Sequence, residues 1–290
     1  MASMGMIFQP SFAPERLLPA AERAEQAGVE ELWLWEDCFK ESGIAAMTAA
    51  LASTERLRVG VGILPMPLRD VALTAMELAT IERLFPGRAR FGVGHGVLDW
   101  MEQVGRRVAS PLALMREYVP ALRRLLDGEE VTLDGRYVHL DRVRLDWPPQ
   151  QRLPVLAAGE GPKTLALTGA VADGTVLPAG WSPSAVRGAV ERIREGRAEA
   201  GRAGEHEVVV FLMTAFGPDG AAQMEEEFDR WGFSGGSRFA ATGEDEAIEA
   251  VVRDLVDAGA TTVLLQSLSA EADLDAYTDG VARIQQRLRG

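Results

Sequence analysis

Residues 153–177 read LPVLAAGEGPKTLALTGAVADGTVL, and this stretch decides the fold. An apolar run ending in AAG at 157–159 predicts a buried strand, GPKT at 161–164 predicts the start of a helix, and a second strand closes the stretch. Free backbone N–H groups at the start of a helix attract anions, and Lys163 adds a positive charge there. The alternative is that the glycines only form a tight turn and that Lys163 lies at a solvated helix end.

The same alternation of strand and helix continues over the rest of the chain. Apolar runs bounded by turn residues predict eight strands. They lie at 4–9, 30–35, 57–64, 88–93, 153–158, 173–177, 207–215 and 261–266. Helical patterns follow at 14–27, 43–52, 70–84, 111–127, 162–171, 183–203, 219–231, 244–258 and 272–288.

This alternation predicts an α/β fold with parallel strands, because strands joined through helices run in the same direction. A closed (β/α)8 TIM barrel is the leading architecture, and an open doubly wound sheet is the alternative. The length of 290 residues is close to that of such barrels, which grow by insertions. Residues 129–146 contain a DG turn signal between two alternating runs, which predicts a β-hairpin inserted between the fourth helix and the fifth strand. No linker interrupts the chain, so residues 1–290 are expected to form one domain.

Composition limits the partners and the location. The formal net charge of −13 argues against binding to nucleic acid or to an anionic membrane, because both require a basic surface. The start of the chain lacks the pattern of a secretion signal, and we expect a cytoplasmic protein. The one cysteine, Cys38, excludes an internal disulfide and a cysteine-rich metal site, and no metal is expected.

The C-terminal ends of the predicted strands are where a parallel barrel carries its chemistry. The first four strands end in FQP at 8–10, WEDC at 35–38, GILP at 62–65 and GVGHG at 92–96. Acids, a thiol, a histidine and several glycines therefore gather at the same end of the barrel as the glycine loop of the fifth strand.

Four segments together resemble the bacterial luciferase-like monooxygenase superfamily, and most of all its branch that uses the deazaflavin coenzyme F420. They are RVGVGILPMPLRD at 58–70, RARFGVGHGVLDWMEQVG at 88–105, the hairpin, and the stretch 153–177. The resemblance covers nearly the whole chain. It implies a barrel that forms a homodimer and transfers hydride between F420 and a small-molecule substrate. The alternatives are an FMN-dependent monooxygenase and a non-catalytic flavin-binding protein of the same fold.

The resemblance also assigns residues to the cofactor. It places the phosphate-bearing tail on the loop formed by Ala157, Ala158, Gly159, Gly161, Pro162, Lys163 and Thr164. It places a cis peptide bond, in a bulge against one face of the ring, at Gly62–Ile63, and the alternative there is a bulge without a ligand. Gly94 and His95 end the fourth strand at the cofactor. Arg69 is expected to contact the tail, or else to pair with an acid.

The predicted catalytic residues are His95, Asp37 and Cys38. By resemblance, Asp37 lies at the polar edge of the ring. Some members follow this aspartate with a catalytic histidine, but Cys38 stands here, and a neutral thiol is a weaker acid than an imidazolium. His95 is then the candidate general acid, because histidine gains and loses a proton near neutral pH. The alternative is that His95 only hydrogen-bonds the cofactor or the loop.

Three tryptophans and two polar residues also have expected roles. Trp35, Trp100 and Trp181 are candidates for the wall of a substrate pocket. Glu36 is expected to be an exposed charge, and His206 is expected to be structural.

Overall fold

The computed structural model describes residues 2–232, 238–267 and 273–290. Its strands are β1 Ser3–Ile7, β2 Glu31–Leu34, β3 Arg58–Pro65, β4 Ala89–Gly94, β5 Val131–Asp134, β6 His139–Val143, β7 Leu156–Ala158, β8 Gly174–Leu177, β9 Glu207–Phe216, β10 Ala240–Gly243 and β11 Thr262–Gln266. Each of the eight predicted strands is present. The fifth is shorter than expected, and β10 was not predicted.

The helices between the strands also follow the predicted pattern. They are α1 Leu17–Ala27, α2 Gly43–Ala52, α3 Val71–Leu84, α4 Leu98–Gln103, α5 Pro111–Leu126, α6 Pro162–Val171, α7 Pro183–Glu199, α8 Gly220–Trp231, α9 Asp245–Asp257 and α10 Leu274–Arg289. The six-residue α4 was not predicted. The last helix was expected from position 272, which lies outside the described residues.

The sheet closes into a barrel. The order is β1, β2, β3, β4, β7, β8, β9 and β11, and β11 pairs with β1. All eight pairings are parallel, including β8 with β9, where Leu177 lies opposite Val210. The predicted closed barrel is therefore confirmed, and the open sheet is wrong. β10 extends the sheet by pairing with the C-terminal end of β9, and β5 and β6 form an antiparallel hairpin between α5 and β7.

Trp33 fills the interior of the barrel, and its ring leaves room only for glycine at two positions of β3. A Cβ atom at Gly60 would lie 2.4 Å from the Trp33 ring, and one at Gly62 would lie 2.9 Å from it. The indole Nε1 donates a hydrogen bond to the buried carboxylate of Glu31 at 2.7 Å. These contacts fix the indole under the third strand, so the GVG sequence of β3 has a packing reason that needs no ligand.

The expected cis bond in the third strand is absent. The pairing of β3 with β4 shifts register between Gly62 and Leu64, so the expected bulge forms through an extra residue, Ile63, with a trans bond. Within the described residues, the cis non-proline bond is Cys38–Phe39, in the loop after β2.

The described residues show neither a membrane span nor a metal-binding cluster. None of their helices is both long and apolar enough to cross a membrane. Their His, Cys, Asp and Glu side chains form no group of three that is arranged to hold a metal ion.

Candidate functional site

A cavity of about 450 Å³ opens at the C-terminal end of the barrel, and we call it the mouth cavity. The ends of β2, β3 and β4 and the loops after β7 and β8 form its wall. The lining residues are Trp35, Glu36, Asp37, Gly62, Ile63, Pro65, Gly94, His95, Gly96, Val97, Trp100, Ala158, Gly159, Glu160, Gly161, Thr164 and Pro178.

The structure brings most of the predicted site residues together in this cavity. Nine of them line it: Asp37, Gly62, Ile63, Gly94, His95, Ala158, Gly159, Gly161 and Thr164. The other five do not: Cys38, Arg69, Ala157, Pro162 and Lys163. Glu160 also lines the cavity but was not predicted as a site residue. Its position between the two loop glycines, Gly159 and Gly161, could have indicated this.

The loop after β7 presents an open helix start to the mouth cavity. Gly161 is the N-cap of α6, no described side chain caps this end, and Pro162 occupies the first turn. The amide of Gly159 is already used, because it donates to the carbonyl of Val176 at 3.4 Å. The amides that follow Gly161 are therefore the ones that can receive an anion.

Two residues of this loop lie elsewhere than expected. Ala157 is fully buried in the core between the strands and the helices, because side chains alternate along a strand and Ala158 takes the inward position. Lys163 is exposed on the first turn of α6, outside the wall of the mouth cavity. Its positive charge can act only from the rim.

His95 carries an unpaired buried atom. Its Nδ1 is inaccessible to solvent and has no hydrogen-bond partner in the described structure. Burial lowers the pKa of His95 below its ordinary value, so the imidazole is neutral at neutral pH. A neutral imidazole carries one donor and one acceptor nitrogen, and this ring therefore has hydrogen-bonding capacity left for a ligand.

Asp37 lies in a loop that holds a second carboxyl group. Its Oδ2 is 3.4 Å from Nζ of Lys40, and its backbone bridges to Glu41. Burial raises the pKa of Asp37. Burial and the nearby Asp37 charge raise the pKa of Glu41 to about 7, and both Glu41 carboxylate oxygens are buried without a hydrogen-bond partner. Glu41 was missed because its position, four residues after Asp37, gave no signal of burial.

Cys38 lies outside the mouth cavity. It lines a neighbouring cavity of about 370 Å³ that shares Glu36 and Asp37 with the mouth. Burial raises the pKa of the Cys38 thiol, and the negative charges of Glu36 and Asp37 raise it further. The thiol is therefore protonated at neutral pH, and its predicted catalytic role stays a prediction.

Arg69 pairs with acids, which was the second of its two expected roles. Its guanidinium lies 2.8 Å from Glu36 and 3.0 Å from Glu77. Glu36 also accepts a hydrogen bond at 3.0 Å from the amide of Gly43 at the start of α2. Glu36 was expected to be exposed, but its side chain is only 9% exposed, because its contacts tie the end of β2 to both α2 and the loop after β3.

Aromatic side chains build the apolar side of the mouth cavity. Trp35 stacks on Phe211 with ring centres 6.3 Å apart, and Phe211 meets the edge of Trp33 at 6.4 Å. Trp100 lines the cavity from α4, as predicted. Trp181 does not line it and packs instead against the core outside the barrel.

The sequence profile of the luciferase-like monooxygenase family matches residues 3–276. The chain belongs to this family. Among proteins similar to this luciferase-like chain is a 5,10-methylenetetrahydromethanopterin reductase of Methanolobus tindarius, 28% identical over 200 residues. These residues are 69% of this chain and 61% of the reductase, so the chain spans only about three fifths of that relative.

Two further similarities concern a sequence and a solved structure. An F420-dependent glucose-6-phosphate dehydrogenase of Kineococcus radiotolerans is 28% identical over 230 residues, which cover 74% of this luciferase-like chain and 68% of the dehydrogenase. The structure of an F420-dependent secondary alcohol dehydrogenase in complex with an F420–acetone adduct superposes with a TM-score of 0.89, covering 100% of this chain and 99% of that one. At 21% identity, that likeness shows the fold alone.

Proposed function

We propose that this chain is an F420-dependent oxidoreductase that transfers hydride between the deazaflavin and a small organic substrate. The observation that carries the proposal is the mouth cavity itself, where the open start of α6 and the imidazole of His95 line one space. The F420-dependent relatives support the choice of cofactor.

The residues present fit a cofactor with an anionic tail and a flat ring. A Cβ atom at Gly161 would meet nothing within 4 Å, so a ligand has free access to the helix start. The amides of Lys163 and Thr164 would hold the phosphate, and the Lys163 ammonium would add attraction from the rim. The bulge at Gly62–Ile63 and the glycine at 94 would offer a flat, apolar surface to the ring.

The bound coenzyme supplies a carbon centre that accepts or donates hydride in a two-electron step. The protein's part is to handle the accompanying proton. His95 is neutral, so its imidazole accepts the hydroxyl proton of an alcohol as the hydride leaves the same carbon, and it returns that proton when a carbonyl compound is reduced. Asp37 lies at the polar side of the cavity with its charge balanced by Lys40, where it orients the coenzyme ring or the substrate.

We also propose that the protein is a homodimer that pairs through α2 and α3. Helix α2 contains no charged residue, and its exposed positions are alanines. Helix α3 exposes Leu73, Met76 and Leu84. Two copies of a chain with net charge −13 repel each other unless their contact is uncharged, and this face meets that condition. Light scattering should show a dimer for the wild type and a monomer for Met76→Glu, and a monomeric wild type would contradict the pairing.

Equilibrium binding of F420 and FMN to the purified protein tests the cofactor assignment. Coenzyme fluorescence is followed as protein is added, with each coenzyme in a separate titration. We expect saturable F420 binding and weaker FMN binding. Tighter binding of FMN would make the chain an FMN enzyme, and no binding of either would refute the proposed function.

A further inference from the structure

Apolar side chains make up most of the wall that a substrate would touch. Trp35 and Trp100 contribute two indoles, and Ile63, Pro65, Val97 and Pro178 complete the apolar surface. Stacking on Phe211 holds Trp35 in place, so this surface exists before a substrate arrives. Such a wall favours a molecule whose bulk is hydrocarbon.

The charged residues of the wall are all acidic. The described lining includes Glu36, Asp37 and Glu160 but neither lysine nor arginine. Arg69 balances Glu36, and Lys40 balances Asp37. Glu160 is exposed and forms no ion pair with a described residue, so its charge acts on whatever enters. With the start of α6 occupied by the coenzyme tail, a carboxylate or phosphate on the substrate would face this charge without a partner.

The two internal segments outside the described residues contain no basic residue that could balance the acidic wall. They read FSGGS at 233–237 and LSAEA at 268–272, and neither contains lysine, arginine or histidine. The basic residue in the loop after β7 is Lys163, which lies outside the cavity wall. These segments therefore contain no positive charge that could balance the acids of the mouth cavity.

The wall offers a hydrogen-bonding group for one small polar atom. The half-buried ring of His95 lines the cavity and its side chain forms no hydrogen bond with a described residue, so a hydroxyl or carbonyl oxygen beside the ring can hydrogen-bond an imidazole nitrogen.

The geometry points to an uncharged alcohol or ketone as the substrate, with its oxygen at His95 and an apolar body against Trp35 and Trp100. Once the coenzyme tail occupies the start of α6, molecules that carry a phosphate or a carboxylate are rejected. This inference rests on the proposed function and names the substrate class of the same site. In the oxidation direction the C–H electron pair leaves as hydride to the coenzyme and the O–H proton passes to His95, which yields the ketone.

Two matched ring ketones test the inference, cyclohexanone and 4-oxocyclohexanecarboxylate. Binding to the protein is measured in the presence of F420 by quenching of tryptophan fluorescence, with Trp100→Phe to show that the signal comes from the mouth cavity. We expect cyclohexanone to bind at least about tenfold more tightly than the carboxylate, because the carboxylate meets the Glu160 charge without a partner. Equal or tighter binding of the carboxylate would overturn the inference.

Two variants examine the part played by Glu160. Glu160→Lys should improve carboxylate binding by about fivefold and leave cyclohexanone binding within about twofold, with Glu160→Gln in between. An unchanged ratio of the two affinities would contradict the role given to Glu160.

The F420 titration is run on the same protein preparation. A protein that ignores F420 but keeps the expected order of ketone affinities would refute the proposed function and not the substrate class. A protein that binds F420 and prefers the carboxylate would do the opposite.

Discussion

The two ends of the barrel differ in whether their buried polar groups are hydrogen-bonded. At the N-terminal end, the buried Glu31 carboxylate accepts hydrogen bonds from Ser3 and Trp33 and pairs with Arg58 at 2.8 Å. At the C-terminal end, buried atoms of four residues, each in the loop after one of the first four strands, have no partner in the described structure. They belong to Ser11, Glu41, Arg69 and His95. An unpaired buried polar group costs about 1–3 kcal/mol, so the fold tolerates this cost mainly at one end.

The larger of the two cavities lies at the end opposite the proposed site. A cavity of about 950 Å³ lies at the N-terminal end of the barrel, roughly twice the volume of the mouth cavity. Its charged side chains form ion pairs with one another, since Glu30 pairs with both Arg58 and Arg289. The comparison therefore favours the C-terminal end as the proposed ligand-binding end, which is where barrels of this kind carry their chemistry. Substitutions at the two ends should therefore affect different measurements.

The largest effect is expected at the mouth. His95→Ala should lower kcat/KM for F420-dependent turnover by about 10²–10⁴-fold, because a proton acceptor is removed, and should leave the melting temperature nearly unchanged. His139→Ala, in the exposed hairpin, is the control and should be silent in both measurements. A His95 variant that keeps full activity would remove this residue from the mechanism.

At the N-terminal end, the largest effect should be on stability. Asp173 pairs with Arg123, Arg152 and Arg202 at 3.1, 2.8 and 3.0 Å. Asp173→Ala leaves these guanidinium groups without their anion and should reduce the free energy of unfolding by about 3 kcal/mol, measured in urea. F420 affinity should stay the same in the folded variant, with the exposed Asp141→Ala as a silent control. A loss of F420 affinity without a loss of unfolding free energy in Asp173→Ala would contradict the difference between the two ends.

A smaller effect concerns the pH dependence of stability. His206, just before β9, bonds to Thr175 at 2.8 Å and Arg197 at 3.1 Å. Burial, together with the charges of Arg197 and Arg202, lowers its pKa to about 4. The unfolded chain takes up this proton at a pKa of about 6.5, so protonation favours unfolding as the pH falls from about 6.5 to about 4.

Because His206 is partly exposed, we expect the wild type to lose about 2 kcal/mol over this pH range through His206. His206→Gln should flatten this part of the stability profile, followed by urea unfolding at several pH values. An equally steep profile in the variant would assign the pH dependence to other groups.

The smallest effect is expected at the rim of the mouth. Lys163→Ala should weaken F420 binding by about threefold, because an exposed charge contributes less than about 1 kcal/mol. Arg187→Ala, exposed on α7, is the matched control and should not change binding. A loss above about fiftyfold would mean that the side chain, and not the backbone amides, holds the tail.

The alternation of strands and helices was predictable because the strands are short apolar runs separated by helical patterns, but the same pattern also allowed an open sheet. The Ser110 and Ser182 helix starts also follow from local residue chemistry, and both hydroxyls accept an amide hydrogen bond. β10 reads AATG and has no apolar run, so its pairing with β9 depends on the tertiary fold alone.

The mouth was less predictable than the barrel because burial and cavity boundaries do not follow from residue type. Cys38 and Asp37 are neighbours in sequence, yet only Asp37 reaches the mouth cavity. Glu36 and Glu41 look like solvated loop charges in the sequence, and both are withdrawn from solvent by contacts between distant segments.

A crystal structure of the protein with F420 bound tests the central claim most directly. We expect the tail phosphate within about 3 Å of the amide nitrogens of Lys163 and Thr164, and the deazaflavin ring against the Gly62–Ile63 bulge within reach of His95. A cofactor found in the N-terminal cavity, or one whose phosphate lies away from the start of α6, would contradict the account.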